Sequence, residues 1–91
     1  MARYVKSDRY VERSKRALPP DDRVRADRLL KRLGEDPPPP EIGLRPMDGQ
    51  GGILWEMKAV NHNRFILRRC RDRKGDYFLV EDVGFYDPFA E

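Results

Sequence analysis

The first third of the chain carries apolar residues at the spacing of two amphipathic helices. Over residues 8–18 the apolar positions fall on one helical face, and Pro19 and Pro20 then end the first helix. A second stripe follows with the same spacing, formed by Ala26, Leu29, Leu30 and Leu33. Because almost nothing separates the two helices, we expect them to fold back as an αα-hairpin over about residues 8–34.

The last third alternates between apolar and polar residues, which is the pattern of half-buried β-strands. Three such segments, at residues 53–60, 64–70 and 77–83, are separated by short polar loops. Consecutive strands on short loops predict an antiparallel meander over residues 53–84. One face of this meander would supply the apolar surface that amphipathic helices need.

The remaining segments complete the predicted order of elements. Residues 3–6 are a short strand candidate, residues 35–52 a Pro-rich spacer, and residues 85–91 a C-terminal tail. The order is therefore β-α-α-β-β-β. With 91 residues the chain has room for one core, so we predict a single domain over residues 1–91. Its fold class is α+β, with an antiparallel sheet packed on the N-terminal αα-hairpin.

Charge is distributed unevenly along the chain. The sequence has 19 Lys and Arg against 16 Asp and Glu, a net charge of +3, and arginine is far commoner than lysine. Residues 1–34 and 53–75 are net basic, whereas residues 35–52 and 76–91 are net acidic. A basic, arginine-rich face favours an anionic partner, because guanidinium groups match phosphates in geometry. Arginines that are simply solvated are the alternative.

The composition also excludes several classes of protein. The single cysteine, Cys70, cannot form an internal disulfide, and no set of Cys and His has the spacing of a zinc site. The apolar runs are too short for a transmembrane helix or a signal peptide. We therefore expect a soluble, cytoplasmic protein without a membrane partner.

Two strand segments and the order of the elements resemble a known family. The segment Leu54–Lys58 and residues 64–67 are similar to two adjacent motifs of the RelE/ParE superfamily of small bacterial toxins. Residues 83–87 resemble the last strand and tail of that family, with Phe85 and Tyr86 in place of its usual His or Arg. The resemblance covers nearly the whole chain.

The resemblance implies a toxin of a type II toxin–antitoxin system, with a cognate antitoxin as its partner. RelE-like members bind the ribosome and cut mRNA by attack of a ribose 2′-OH on the neighbouring phosphate, with neither a metal nor a cofactor. ParE-like members inhibit DNA gyrase and are not nucleases. The prediction is thus a ribosome-dependent mRNA endoribonuclease. The alternative is a non-nuclease binder, either a gyrase inhibitor or an inactive homologue that only binds an antitoxin. A homodimer or a toxin–antitoxin hetero-oligomer is compatible with both.

The resemblance also implies roles for particular residues. The catalytic candidates are Glu56, Lys58, Arg64 and Tyr86, and the RNA-binding candidates are Arg45, Arg68 and Arg69. Glu56 and Lys58 lie two residues apart and so share a strand face, and either can be the base for the 2′-OH. Arg64 matches the strand arginine of the family and would contact the scissile phosphate. Tyr86 would orient a nucleotide by stacking or hydrogen bonding.

Several of these residues also have a purely structural interpretation. Glu56 and Arg64 can form a cross-strand ion pair on a solvated sheet face. Trp55 shares a face with apolar neighbours, which favours a position in the core over a base-stacking platform. His62 lies in a predicted turn and is interpreted as a surface residue, and Cys70 as a structural thiol.

Overall fold

Two helices and a five-stranded sheet make up the protein, in a computed structural model that describes residues 3–35 and 37–85. The strands are β1 (Tyr4–Lys6), β2 (Arg45–Pro46), β3 (Leu54–Lys58), β4 (Asn63–Asp72) and β5 (Gly75–Phe85). The helices are α1 (Asp8–Ala17) and α2 (Pro20–Arg32), and a short 3-10 helix spans Pro40–Ile42. The predicted α+β class is confirmed.

Each helix begins where the sequence supplies a start signal. The hydroxyl of Ser7 accepts a hydrogen bond from the backbone N–H of Tyr10 at 3.0 Å and caps α1. Pro20 is the first residue of α2, where its missing N–H costs nothing, and two aspartates follow in the first turn. Only Leu18 and Pro19 separate the helices, so they follow each other directly.

The strand order in the sheet is β1-β5-β4-β3-β2. The pairs β2–β3, β3–β4 and β4–β5 are antiparallel, so the last three strands form the meander that their spacing predicts. β1 instead pairs parallel with β5, which makes the sheet mixed. The prediction of a wholly antiparallel sheet is therefore wrong. No hairpin turn joins β1 to β5, so no local turn geometry sets their relative direction.

The element boundaries also differ from the predicted ones. β4 and β5 are longer than expected, and the polar loop between them shrinks to a turn at Arg73 and Lys74. The spacer over residues 35–52 is not simply an extended linker, because it holds the 3-10 helix and β2. Gly43 follows the 3-10 helix in the left-handed region, with φ 64°, and turns the chain toward β3. Phe85 ends β5, and the rest of the predicted tail lies outside the described residues.

Both helices contribute to one hydrophobic core on a single face of the sheet. The buried apolar residues are Tyr10, Leu18, Ala26, Leu30, Leu33, Ile42, Met57, Phe65, Leu67, Val80 and Val83. Burial raises the pKa of Tyr10 to about 12. Trp55 packs against this core with its ring centroid 5.5 Å from that of Phe78, in agreement with its structural interpretation. No helix within the described ranges is long and apolar enough to cross a membrane.

Candidate functional site

The sheet face that points away from the helices carries most of the predicted site. Side chains alternate along each strand, so the neighbours of the buried Met57 and Phe65 project from the opposite face. Strand register aligns these outward residues in rows across β3, β4 and β5. We call this surface the open face. Its residues are Glu56, Lys58, Arg64, Ile66, Arg68, Leu79, Asp82 and Gly84.

Lys58 and Arg64 stand directly opposite each other in the register of β3 and β4. Neither side chain has a hydrogen bond or ion pair with any residue in the described part of the chain. The carbon chain of Lys58 lies against Gly43, where an added Cβ would be 3.0 Å from Lys58 Cγ. Like charges that face each other across strands repel. This pair therefore favours an anion that binds between the two cations.

Gly84 continues the row on β5, because it is the register partner of Arg64. The Cβ position of Gly84 is open except for one contact with α1. Nη2 of Arg13 in α1 lies 3.7 Å from the point that a Cβ of Gly84 would occupy. Arg13 is held there by Asp82 at 3.1 Å, and Arg9 contacts the same carboxylate at 3.5 Å.

Glu56 is the buried member of the site, with 5% of its surface exposed. It stands opposite Ile66, and its carboxylate accepts a hydrogen bond from Nε of Arg45 on β2. The cross-strand ion pair between Glu56 and Arg64, considered from the sequence, is not formed. The carboxylate is instead held by Arg45 one row away from Lys58 and Arg64.

Arg68 and Arg69 are adjacent in sequence but lie on opposite faces of the sheet. Arg68 is on the open face, where its Nε donates to Glu81 at 2.7 Å, and this hydrogen bond raises the pKa of Arg68 above its ordinary value. Arg69 bonds Asp76 at 2.8 Å and lines a cleft of about 380 Å³ beside Trp55. The sheet therefore separates Arg69 from the other RNA-binding candidates.

The candidates thus divide into three groups. Glu56, Lys58, Arg64, Arg45 and Arg68 belong to the open face or its edge, and Arg69 does not. Tyr86 lies outside the described residues, so its predicted role stays a prediction.

Tertiary contacts bring two further residues to the row of cations, Arg13 and Gly84, and neither was predicted to belong to the site. One signal is visible in retrospect: Arg9, Arg13 and Arg16 recur at the helical spacing i, i+4, i+7. The position of Gly84 has no such signal, because its partner α1 lies far away in sequence.

The open face can bind an anion but holds few groups for proton transfer. The exposed Lys58 and the half-buried Arg64 can contact a phosphate. Glu56 is two residues from Lys58 on β3, which corresponds to about 7 Å along the strand. Among the described residues, no cluster of three or more His, Cys, Asp or Glu has the geometry to hold a metal ion.

Comparison with known proteins adds no assignment. The chain matches no protein-family model, no curated protein and no solved structure. A functional assignment therefore depends on the chemistry of the open face and on the motifs in β3 and β4.

Proposed function

We propose that this protein is the toxin of a type II toxin–antitoxin pair, acting in the cytoplasm as a RelE-like, ribosome-dependent mRNA endoribonuclease. The observation that carries the proposal is the pair of cations Lys58 and Arg64, which face each other without a counter-charge in the described residues. The two segments that resemble the family form β3 and β4, and they are neighbours in the sheet.

The reaction in this proposal is transfer of the phosphoryl group within the RNA. The ribose 2′-OH loses its proton to a base and attacks the adjacent phosphorus, and the 5′-oxygen leaves with a proton from an acid. The products are a 2′,3′-cyclic phosphate and a 5′-OH. Lys58 and Arg64 stabilise the negative charge that builds up on the phosphate in the transition state.

The geometry distinguishes the two candidate bases. Glu56 is shielded from solvent and bonded to Arg45, whereas Lys58 is exposed beside Arg64. In this proposal Glu56 accepts the proton only when substrate binding draws Arg45 toward a phosphate. Lys58 and Arg64 contact the scissile phosphate directly, and the leaving 5′-oxygen takes its proton from a solvent water.

The proposal is tested by inducing the chain in a bacterium without any partner gene. We expect growth arrest and new mRNA 5′ ends inside translated codons. Arg64→Ala removes a charged donor to the transition state, so cleavage should fall about 100-fold and growth should recover. The matched control is Arg28→Ala, which removes an exposed arginine of α2 that has no ion pair in the described residues. Arrest that survives Arg64→Ala contradicts the proposal.

The alternative is a non-nuclease binder that inhibits a topoisomerase or only binds an antitoxin. The burial of Glu56 and its bond to Arg45 favour it, because a carboxylate that is enclosed and already occupied by a guanidinium is out of reach of a substrate hydroxyl. Glu81 and Asp82 also bring negative charge to this side of the sheet. Arrest with intact mRNA and a DNA-damage response would support the gyrase form. Absence of any arrest would support the antitoxin-binding form.

A further inference from the structure

Helix α1 carries three arginines on one side, next to the open face. Arg9, Arg13 and Arg16 are spaced i, i+4, i+7, so they lie within one stripe of the helix. The first two reach Asp82 on β5, which shows that this stripe faces the edge of the sheet. Arg16 lies one turn further along and has no ion pair or hydrogen bond in the described residues.

The stripe and the row of cations form one strongly positive surface. This surface has five positive charges, on Lys58, Arg64, Arg9, Arg13 and Arg16. Among the described carboxylates, Asp82 forms ion pairs with two of them, Arg9 and Arg13. Four positive charges remain on this surface, more than the net +3 of the whole chain. Such a concentration of charge attracts a polyanion.

Gly84 is the passage between the two parts of this surface. It lies between Arg64, its register partner, and Nη2 of Arg13, which is 3.7 Å from its Cβ position. A long side chain at this position would fill the space next to Nη2 of Arg13, whereas the single Cβ of an alanine would make only an ordinary contact there. With glycine there, an extended chain can cross β5 in contact with both arginines.

We propose that the phosphates flanking the scissile one are bound by the arginine stripe of α1, and that the RNA strand crosses β5 at Gly84. We call the surface Lys58, Arg64, Gly84, Arg13 and Arg16 the basic track. This inference rests on the proposed function for its choice of RNA. It adds a second contact region, on a helix, to a site whose predicted residues all lie outside the two helices.

The chemistry of the basic track fits a nucleic-acid backbone better than a peptide. The track contains no apolar side chain for a peptide to bury, and peptide docking gains most of its affinity from such burial. Guanidinium groups instead bind phosphate oxygens with two parallel hydrogen bonds. Asp82 orients Arg13 with one such bond and leaves its remaining donors available.

The test measures binding of fluorescent 2′-O-methyl RNA, which lacks the attacking hydroxyl, by the purified full chain. A dinucleotide, which has a single phosphate, tests the row of Lys58 and Arg64, whereas a dodecanucleotide also reaches along α1 to Arg16. Arg16→Ala should weaken binding of the dodecanucleotide about threefold and reduce the slope of log K against log salt by about 0.7, with no effect on the dinucleotide. Arg64→Ala should weaken binding of both, and Arg28→Ala of neither.

Gly84→Leu provides the second variant, because it blocks the passage without removing a charge. We expect it to weaken only the dodecanucleotide, with circular dichroism confirming the fold. Gly84→Ala is its matched control, since a Cβ at 3.7 Å from Arg13 makes an ordinary contact.

The outcomes separate this inference from the proposed function. If Arg64→Ala weakens binding but Arg16→Ala and Gly84→Leu do not, the basic track is wrong and the proposed function stands. If the two variants behave as expected but the protein cuts no mRNA in cells, the track stands and the nuclease fails. If the wild-type chain binds neither RNA, the basic track is overturned, and the proposed ribosome-dependent function is judged by mRNA cleavage in cells alone.

Discussion

At the scale of single residues, the position of the Lys58 side chain depends on a glycine, Gly43. Gly43 has φ 64°, and the carbon chain of Lys58 packs against the position that a Cβ of residue 43 would occupy. Gly43→Ala should destabilise the fold by about 1–2 kcal/mol, because a Cβ is strained at this φ. The new methyl group would also displace Lys58 from its place opposite Arg64. Urea denaturation and RNA binding measure the two effects.

Gly49→Ala is the matched control for this prediction. Gly49 also has a positive φ, 75°, but nothing lies within 4 Å of its Cβ position. Gly49→Ala should lower the free energy of unfolding by a similar amount, because its Cβ is strained in the same way, and should leave RNA binding unchanged. Equal loss of binding in both variants would show that Gly43 does not position Lys58.

For single residues, the sequence pattern predicts which face of the sheet a site residue occupies, but not which residue it pairs with. The alternation in β3 and the motif in β4 placed Lys58 and Arg64 on one face, and the register sets them opposite each other. The partner of Glu56 was not predictable, because Arg45 comes from a two-residue strand that carries no periodic pattern. A residue's charge is visible in the sequence, but its counter-charge depends on which segments meet.

At the scale of elements, the turn between β3 and β4 fixes the register that aligns the site. Asn61 and His62 have φ values of 53° and 64°, as a type I′ hairpin turn requires, and Asn63 N–H bonds Val60 O at 3.0 Å. His62→Gly should stabilise the protein by about 0.5–1 kcal/mol, because glycine adopts positive φ without a steric cost. Thermal unfolding measures the gain.

A second variant separates the backbone effect from the imidazole. His62→Ala removes the ring and keeps the strain, so it should give no gain in stability. Neither variant should change the mRNA cleavage expected under the proposed function, because His62 lies in an exposed turn and is interpreted as a surface residue. Loss of RNA binding in both variants would assign His62 a functional role.

At the scale of the whole molecule, β1 attaches to the sheet through contacts that are distant in sequence. Arg3 donates two hydrogen bonds to the carboxylate of Asp72, 69 residues away. The bonds from Arg3 and from the backbone N–H of Lys74 lower the pKa of Asp72 below its ordinary value. A carboxyl with a lowered folded-state pKa stabilises the fold above its unfolded pKa, about 3.9. That stabilisation is lost as the pH falls through the folded value.

Asp72→Asn should therefore be less stable than the wild type at pH 7, and the difference should shrink as the pH falls from about 5 to about 2. Urea midpoints across this range measure it. Asp48→Asn is the control, since Asp48 is exposed and has no ion pair in the described ranges. A constant difference between the wild type and Asp72→Asn at every pH would contradict the assignment.

Features that depend on near neighbours along the chain could be predicted from the residue pattern. Helical spacing, capping by Ser7 and the double proline defined the two helices, and alternation defined the three strands of the meander. The α+β class follows from these elements, because their apolar faces need one another. The shared face of Lys58 and Arg64 follows as well, given a short hairpin between their strands.

Features that depend on distant segments could not be predicted and became visible only in the folded chain. The parallel pairing of β1 with β5, the bond from Arg45 to Glu56 and the approach of Arg13 to Gly84 each join parts of the chain that no local pattern connects. Local periodicity reports which side of an element is apolar, and it carries no information about which element will cover that side. The basic track exists because α1 packs against β5, and that packing is settled by how the whole core closes.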